Sequence, residues 1–288
     1  MKFLMGSLFV FFPLILIPAY GDLNRDVLVD GLNNPWEIVF GPDDEIYFTE
    51  RDGRIWMITE SGEAKVIQTF QKSGSVEGGT LGIALHPEFD KTKKIYVYQT
   101  NLELDFFQNK VFSFKINNDM LIDKQIIIDD IPGAPWHDGG RIKFGPDDKL
   151  YITTGDAINP NWSQDLSSLA GKILRINSDG TIPDDNPFDS SPVYSYGHRN
   201  PQGIAWSQDG MLVSSEHGPS GEMGYGHDEI NVIVKGKNYG WPKIVGTSSD
   251  DSFVNPITHS GQTTWAPSGM VFYNSDKIPS LNEKFLVG

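Results

Sequence analysis

Six histidines and no cysteine set the chemistry open to this 288-residue chain. Without cysteine there is no thiolate zinc site, cysteine nucleophile, disulfide scaffold or lipoprotein anchor. His137, in Trp136-His137-Asp138-Gly139-Gly140, is a candidate proton-transfer group, although a histidine needs a placed partner before it acts as a base. Arg199, in Gly197-His198-Arg199-Asn200-Pro201-Gln202, could stabilise developing negative charge or simply pair with a carboxylate at a rim. Glu77 precedes two glycines, and glycines beside Glu77 and His137 would let a flat ligand approach the backbone closely. Trp136 and Trp265 could wall a ligand or pack between sheets. His217, His227 and His259 lack zinc-ligand spacing such as H-E-x-x-H. His86, in a hairpin turn, reads as structural, and Asn161-Trp162-Ser163 is a glycosylation sequon too short to weigh much.

A repeat positions these residues. An alternating strand, a Pro/Asp/Gly turn and a strand rich in Ile, Tyr, Val or Thr recur with starts near residues 36, 81, 140, 202 and 268. The clearest copies are Trp36 to Phe40 with Ile46 to Thr49, and Arg141 to Phe144 with Leu150 to Thr153. Alternation around a Pro-Asp turn makes a β-hairpin. Further strand-like runs, Arg54 to Thr59, Lys110 to Ile116 and Lys172 to Ile176, lie between copies. Such repeats with four strands each predict an all-β, six-bladed β-propeller of four-stranded antiparallel blades. In that architecture the loops leading into each innermost strand, and those trailing from each second strand, share one mouth of the axis. The leading loops hold Glu77, His137, Arg199, Asn200 and Trp265; the trailing loops hold Arg51, Asp156 and Glu216 to Pro219. A carboxylate, a histidine, an arginine, an amide and an aromatic at one opening is the pattern of a small-molecule site.

The formal net charge is −15, which disfavours nucleic acid as a partner. Lys2, an uncharged apolar run from Phe3 to Pro18 and the small residues around Ala19-Tyr20-Gly21 predict a signal peptide over 1–21 and a propeller over 22–288. The location expected is the periplasm or the exterior; an uncleaved membrane tether is the alternative, although the run is short for a span. The fifth hairpin reaches Gly288 as its second strand forms, so the propeller is expected to be cut short in blade five unless a strand over 25–29 closes the ring. A chain ending there is expected to be poorly soluble and inactive, and one longer by roughly 60–100 residues, enough for the missing strands, to be active.

The motifs Glu77-Gly78-Gly79, His137 to Arg141, Leu150 to Asp156, Gly171 to Arg175, Gly197 to Gly203, Ser215 to Pro219, Asp228 to Asn231, Asn238 to Pro242 and Trp265 to Gly269 resemble the soluble aldose sugar dehydrogenases that use pyrroloquinoline quinone (PQQ), alongside soluble glucose and sorbosone dehydrogenases. The resemblance implies hydride transfer from C1 of an aldose to PQQ, giving a lactone. His137 is similar to the base that takes the C1 hydroxyl proton, and Asp156 to the carboxylate that orients it. Arg199 and Asn200 resemble contacts to PQQ, with Arg199 stabilising charge on the quinone oxygen. The carbonyls of Gly218 and Pro219 resemble ligands of a calcium that holds PQQ, and Glu229 and Tyr239 ligands of a second, structural calcium. Trp265 resembles the aromatic wall of the substrate site. An external electron acceptor, which the sequence does not identify, would reoxidise the quinone; a homodimer stays open.

Two departures accompany the resemblance. Glu77 stands where the best-known members carry a glutamine to PQQ, adding a negative charge beside an anionic cofactor. The family's later lysine and arginine contacts lie beyond a motif like Phe285-Leu286-Val287-Gly288, which predicts poor PQQ binding. Two other functions compete: a non-catalytic propeller that binds a sugar or protein, disfavoured by the presence of His137 and Arg199, and a calcium-dependent lactonase, which wants several carboxylates around an axial metal.

Overall fold

In the computed structural model, which describes residues 26–219 and 226–288, the expected hairpins form and pair in chain order. The compact propeller unit runs over Leu32–Gly288. Its first sheet is β1 (Pro35–Phe40), β2 (Ile46–Glu50), β3 (Arg54–Ile58) and β4 (Ala64–Thr69). The second is β5 (Thr80–Leu85), β6 (Lys94–Glu103), β7 (Phe106–Asn117) and β8 (Met120–Pro132). The third is β9 (Ile142–Phe144), β10 (Leu150–Thr154), β11 (Lys172–Ile176) and β12 (Val193–Tyr196). The fourth is β13 (Pro201–Trp206), β14 (Leu212–Glu216), β15 (Glu229–Val232) and β16 (Thr258–His259). A two-stranded sheet follows, β17 (Met270–Tyr273) and β18 (Lys284–Val287). All named pairs are antiparallel between chain neighbours, the meander of a propeller blade.

The propeller class stands, while the described residues give four complete blades and one hairpin rather than six blades. The run 26–31 carries no strand, so the closing strand considered over 25–29 does not form there. The signal segment over 1–21 lies outside the described residues. Among the described residues no helix is long and apolar enough to cross a membrane. A short helix, α1 (Phe89–Thr92), replaces part of the simple turn expected between β5 and β6. Phe89 is the reason: it is buried and meets Tyr47 edge-on at 5.8 Å, which winds the turn down onto the first sheet.

The core is divided into layers between adjacent sheets. Tyr47, Ile55, Ile83, Val97 and Phe112 fill the space between sheets one and two; Tyr96, Tyr98, Ile142, Ile152 and Leu174 fill that between two and three. Ile173, Ile204, Leu212 and Tyr239 join sheets three and four. Inner strands that lie between two such layers bury both faces, and β10, β11 and β14 are buried at every residue. Near the axis the innermost strands approach too closely for side chains. Gly82 N–H donates to the Gly140 carbonyl at 3.0 Å, and a Cβ on Gly82 would lie 2.3 Å from that oxygen.

Candidate active site

The loop leading into β9 and the loop trailing from β10 interlock at the axial mouth. Gly155 passes directly beneath His137, and a Cβ there would sit 1.9 Å from the His137 carbonyl. Ala157 N–H donates to that carbonyl at 3.2 Å, and Asp156 N–H donates to the Arg199 carbonyl at 2.7 Å. His137 itself has φ +63°, a left-handed conformation unusual outside glycine. Its backbone N–H is held by Glu77 Oε2 at 2.9 Å. Four loops from three blades thus fix one residue.

That imidazole is polarised from both sides. His137 Nδ1 lies 2.7 Å from Asp156 Oδ1. Asp156 is fully buried, and it also accepts from Ile158 N–H at 2.9 Å and from the Trp241 indole at 2.8 Å. A carboxylate only accepts, so Nδ1 carries the hydrogen and the Nε2 lone pair is left to take one. Arg199 Nη2 meets that lone pair at 2.9 Å, while Nη1 donates to the His217 carbonyl at 3.2 Å. Burial pulls the Arg199 guanidinium below its ordinary pKa, although Asp156 and Glu216 act the other way. A buried charge with few partners is a strong local field.

Arg199 is seated by a second buried histidine–carboxylate pair. Glu216 accepts from Arg199 N–H and, at 2.9 Å, from His198 Nδ1; His198 Nε2 meets Ser195 Oγ at 2.8 Å. The His198 ring stacks on Tyr239 with centroids 4.6 Å apart.

Two cavities lie among these loops. The larger, about 190 Å³ on the axis, is lined by Trp36, Arg51, Glu77, Asn200, Gln202 and His217, among others. Asn200 Oδ1 accepts from Gly139 N–H and Gln202 Nε2, each at 3.0 Å. Its Nδ2 is thereby turned outward and has no partner among the described residues, a donor aimed at a ligand. The smaller, about 10 Å³, room for roughly one water or ion, is lined by Glu216, Gly218, Pro219, Glu229 and Tyr239. Gly218, Pro219, Glu229 and Tyr239, assigned to two calcium sites on resemblance, thus border one small space. The Tyr239 hydroxyl is already engaged, donating to Val232 O at 2.6 Å and accepting from Val234 N–H at 2.8 Å, so only its main-chain oxygen is free to ligate. Burial, reinforced by Glu216, pushes the Glu229 carboxyl up to about 8. An acceptor-rich space with two crowded carboxylates suits a hard cation. No cluster of three His, Asp or Glu ligands exists among the described residues, so backbone carbonyls would have to complete the shell.

Trp265 lines neither cavity; the residue is 45% exposed. Its loop is nevertheless tethered to the site. Asp228 accepts from Gly218 N–H (2.8 Å), Trp265 N–H (2.6 Å), Ala266 N–H (2.9 Å) and the Thr264 hydroxyl (2.8 Å). Although burial opposes it, these donors hold the Asp228 carboxyl below its ordinary pKa. Sequence reasoning assigned no role to Asp228, Trp241 or Glu216. All three sit inside the motifs quoted above, and their partners are 10 to 85 residues away, from Gly218 and Asp228, 10 apart, to Trp241 and Asp156, 85 apart.

Fold and site together define a β-propeller with a carboxylate-held histidine facing a buried arginine at its axial mouth. The glucose / sorbosone dehydrogenase family profile matches residues 32–288, and the chain belongs to that family. It is 34% identical over 267 residues to quinoprotein glucose dehydrogenase B of Acinetobacter calcoaceticus, covering 81% of this chain and 55% of that protein. It is 32% identical to the aldose sugar dehydrogenase YliI of Escherichia coli, covering 94% of this chain and 78% of the relative. The chain thus spans about half the length of the first and about three quarters of the second. The PQQ-bound aldose sugar dehydrogenase of Streptomyces coelicolor shares the fold with a TM-score of 0.78 at 35% identity, covering 86% of this chain and 74% of that one.

Proposed function

We propose that this chain carries the active site of a PQQ- and calcium-dependent aldose dehydrogenase that oxidises a sugar at C1 to the lactone, in a propeller of six blades located in the periplasm or outside the cell. The observation that carries this reading is the Asp156–His137–Arg199 line, with hydrogen bonds of 2.7 and 2.9 Å and an Nε2 lone pair at its centre. PQQ, when bound, supplies the two-electron acceptor. The donor set fits such a group: the outward Asn200 amide, the buried Arg199 guanidinium and the glycine-walled cavity would hold a flat anion.

His137 Nε2, on releasing the Arg199 N–H that it meets at 2.9 Å, would take the proton from the C1 hydroxyl. Asp156 keeps the hydrogen on Nδ1 and offsets the positive charge the imidazole then gains. Arg199, fixed through Glu216, would supply N–H groups to stabilise the negative charge that develops on the acceptor. Gly218, Pro219, Glu229 and the Tyr239 carbonyl would hold calcium next to the same arginine, and Trp265 would close over the sugar. An external acceptor completes the cycle. The test is reconstitution of the full chain with PQQ and calcium, with a dye acceptor and a panel of aldoses. Sugar-dependent dye reduction that requires both additions is expected; none with any aldose, despite bound PQQ, would favour a non-catalytic binding propeller.

A further inference from the structure

Arg51 lies in the wall of the axial cavity and makes no ion pair among the described residues. Its neighbours in sequence are both acidic, yet neither pairs with it. Glu50 is fully buried and bound by Arg54 Nε at 2.8 Å and by the Trp56 indole at 2.5 Å. Asp52 is taken by Arg54 at 3.3 Å and by Asn33 Nδ2 at 3.1 Å. Arg54 therefore satisfies the acids on both sides, and the Arg51 guanidinium has neither ion pair nor hydrogen bond among the described residues.

The backbone holds it in place. Arg51 N–H donates to the Asn34 carbonyl at 3.1 Å, and its carbonyl accepts from Thr80 N–H at 3.2 Å. Its stem crosses Gly79, where a Cβ would lie 2.9 Å from Arg51 Cγ. The side chain reaches the cavity that also holds Glu77, Asn200 and His217. Glu77 is committed through one oxygen to His137 N–H. His217 is tied to a neighbouring loop, its Nε2 meeting the Pro267 carbonyl at 2.9 Å. Arg51 is left as the one permanent positive charge in that lining, which it shares with the Asn200 amide and the carboxylates of Glu77 and Asp138.

We propose that Arg51 and the Asn200 amide form a carboxylate-binding subsite in the axial cavity, one that anchors an acid group of the cofactor and offsets the charge of Glu77. The inference rests on the PQQ reading above. A guanidinium and an amide N–H converging on one anion make charge-assisted hydrogen bonds, which are the strong ones. Arg51 does not touch the His137–Arg199 pair, so it acts on affinity rather than on proton transfer.

The experiment is equilibrium titration of PQQ into the calcium-loaded full chain, followed by tryptophan quenching, for wild type, Arg51→Gln and Arg51→Lys. Loss of one charged hydrogen-bonding group corresponds to roughly a 10- to 100-fold rise in Kd. That rise is expected for Arg51→Gln, with Arg51→Lys within about tenfold of wild type because the charge remains. The thermal midpoint of Arg51→Gln should match wild type, since no protein partner is lost. An Arg51→Gln Kd within threefold of wild type, or a melting point lowered in both variants, would overturn the subsite and leave the cofactor reading standing. Wild type that binds no PQQ would remove the cofactor reading, and the subsite with it.

Discussion

At the scale of single residues, the site turns on which imidazole nitrogen carries the hydrogen. His137→Ala removes the lone pair, and turnover should fall about 10²–10⁴-fold while PQQ binding persists. Single-turnover kinetics within tenfold of wild type would remove His137 as the base. Asp156→Asn tests the same point more finely. An amide can present N–H to Nδ1 and drive the hydrogen to Nε2, where Arg199 also presents N–H. Turnover should drop at least a hundredfold, by analogy with tautomer loss in a histidine–aspartate pair, with little change in melting point. Equal activity would show that Asp156 does not set the tautomer. His137, Asp156 and Arg199 were all legible in the sequence because each lies in a loop that the repeat sends to one mouth. The Trp241 indole on Asp156 was not: its loop follows the third strand of the fourth blade, and no periodicity aims it at a carboxylate.

At the scale of elements, the short 3₁₀ turn over Pro160–Gln164 braces the arginine loop. Ser163 Oγ donates to the His198 carbonyl at 2.7 Å, and Gly197 N–H donates to the Ser163 carbonyl at 2.9 Å. Lys172 of β11, fully buried, fastens this turn from below. Its Nζ donates to Trp162 O (2.7 Å), Ser163 O (3.2 Å) and Ala170 O (2.6 Å). Lys172→Met should leave Ala170 O without a donor, because the other two carbonyls keep backbone partners in Asp165 and Gly197. The expected loss is about 1–3 kcal/mol in urea unfolding, together with weaker PQQ binding as the Arg199 loop loosens. Unchanged stability would show that water replaces the ammonium. A lysine in the middle of Gly171-Lys172-Ile173-Leu174 reads as a strand-edge charge in sequence; only the turn folded over it makes it internal.

At the scale of the whole molecule, Asp138 joins blades two and three. Its carboxylate accepts from Asn109 Nδ2 at 2.9 Å and Ala134 N–H at 3.1 Å, and its carbonyl accepts from Tyr98 at 2.8 Å. Burial pushes its pKa up from 3.8 to about 6, against the hydrogen bonds. A raised folded-state value means the fold holds this proton more tightly than the unfolded chain. That stability is fully present below about pH 4 and lost as pH rises to about 6. Two pKa units correspond to about 3 kcal/mol. Unfolding free energies of wild type and Asp138→Asn should therefore diverge by about that amount between pH 4 and pH 7, in favour of the variant at the higher pH. Parallel curves would show that Asp138 stays ionised throughout.

The hairpins, their order and the mouth to which their loops run were determined by the sequence alone, because strand alternation and Pro-Asp turns act over a few residues. So was the short list of reactive side chains, which the repeat register places without any knowledge of distance. Tertiary structure decided what those side chains do to one another. The Nε2–Arg199 contact, the seating of Arg199 by Glu216 and His198, and the outward turn of the Asn200 amide all depend on backbones from different blades closing to hydrogen-bond range. It also separated Trp265, left outside both cavities, from the residues that reach the axis, and isolated Arg51 by giving both neighbouring acids to Arg54. Hydrogen bonding at 2.7 to 3.2 Å is fixed by packing between sheets, and nothing in a run of residues along one strand encodes the side chain that the next blade brings against it.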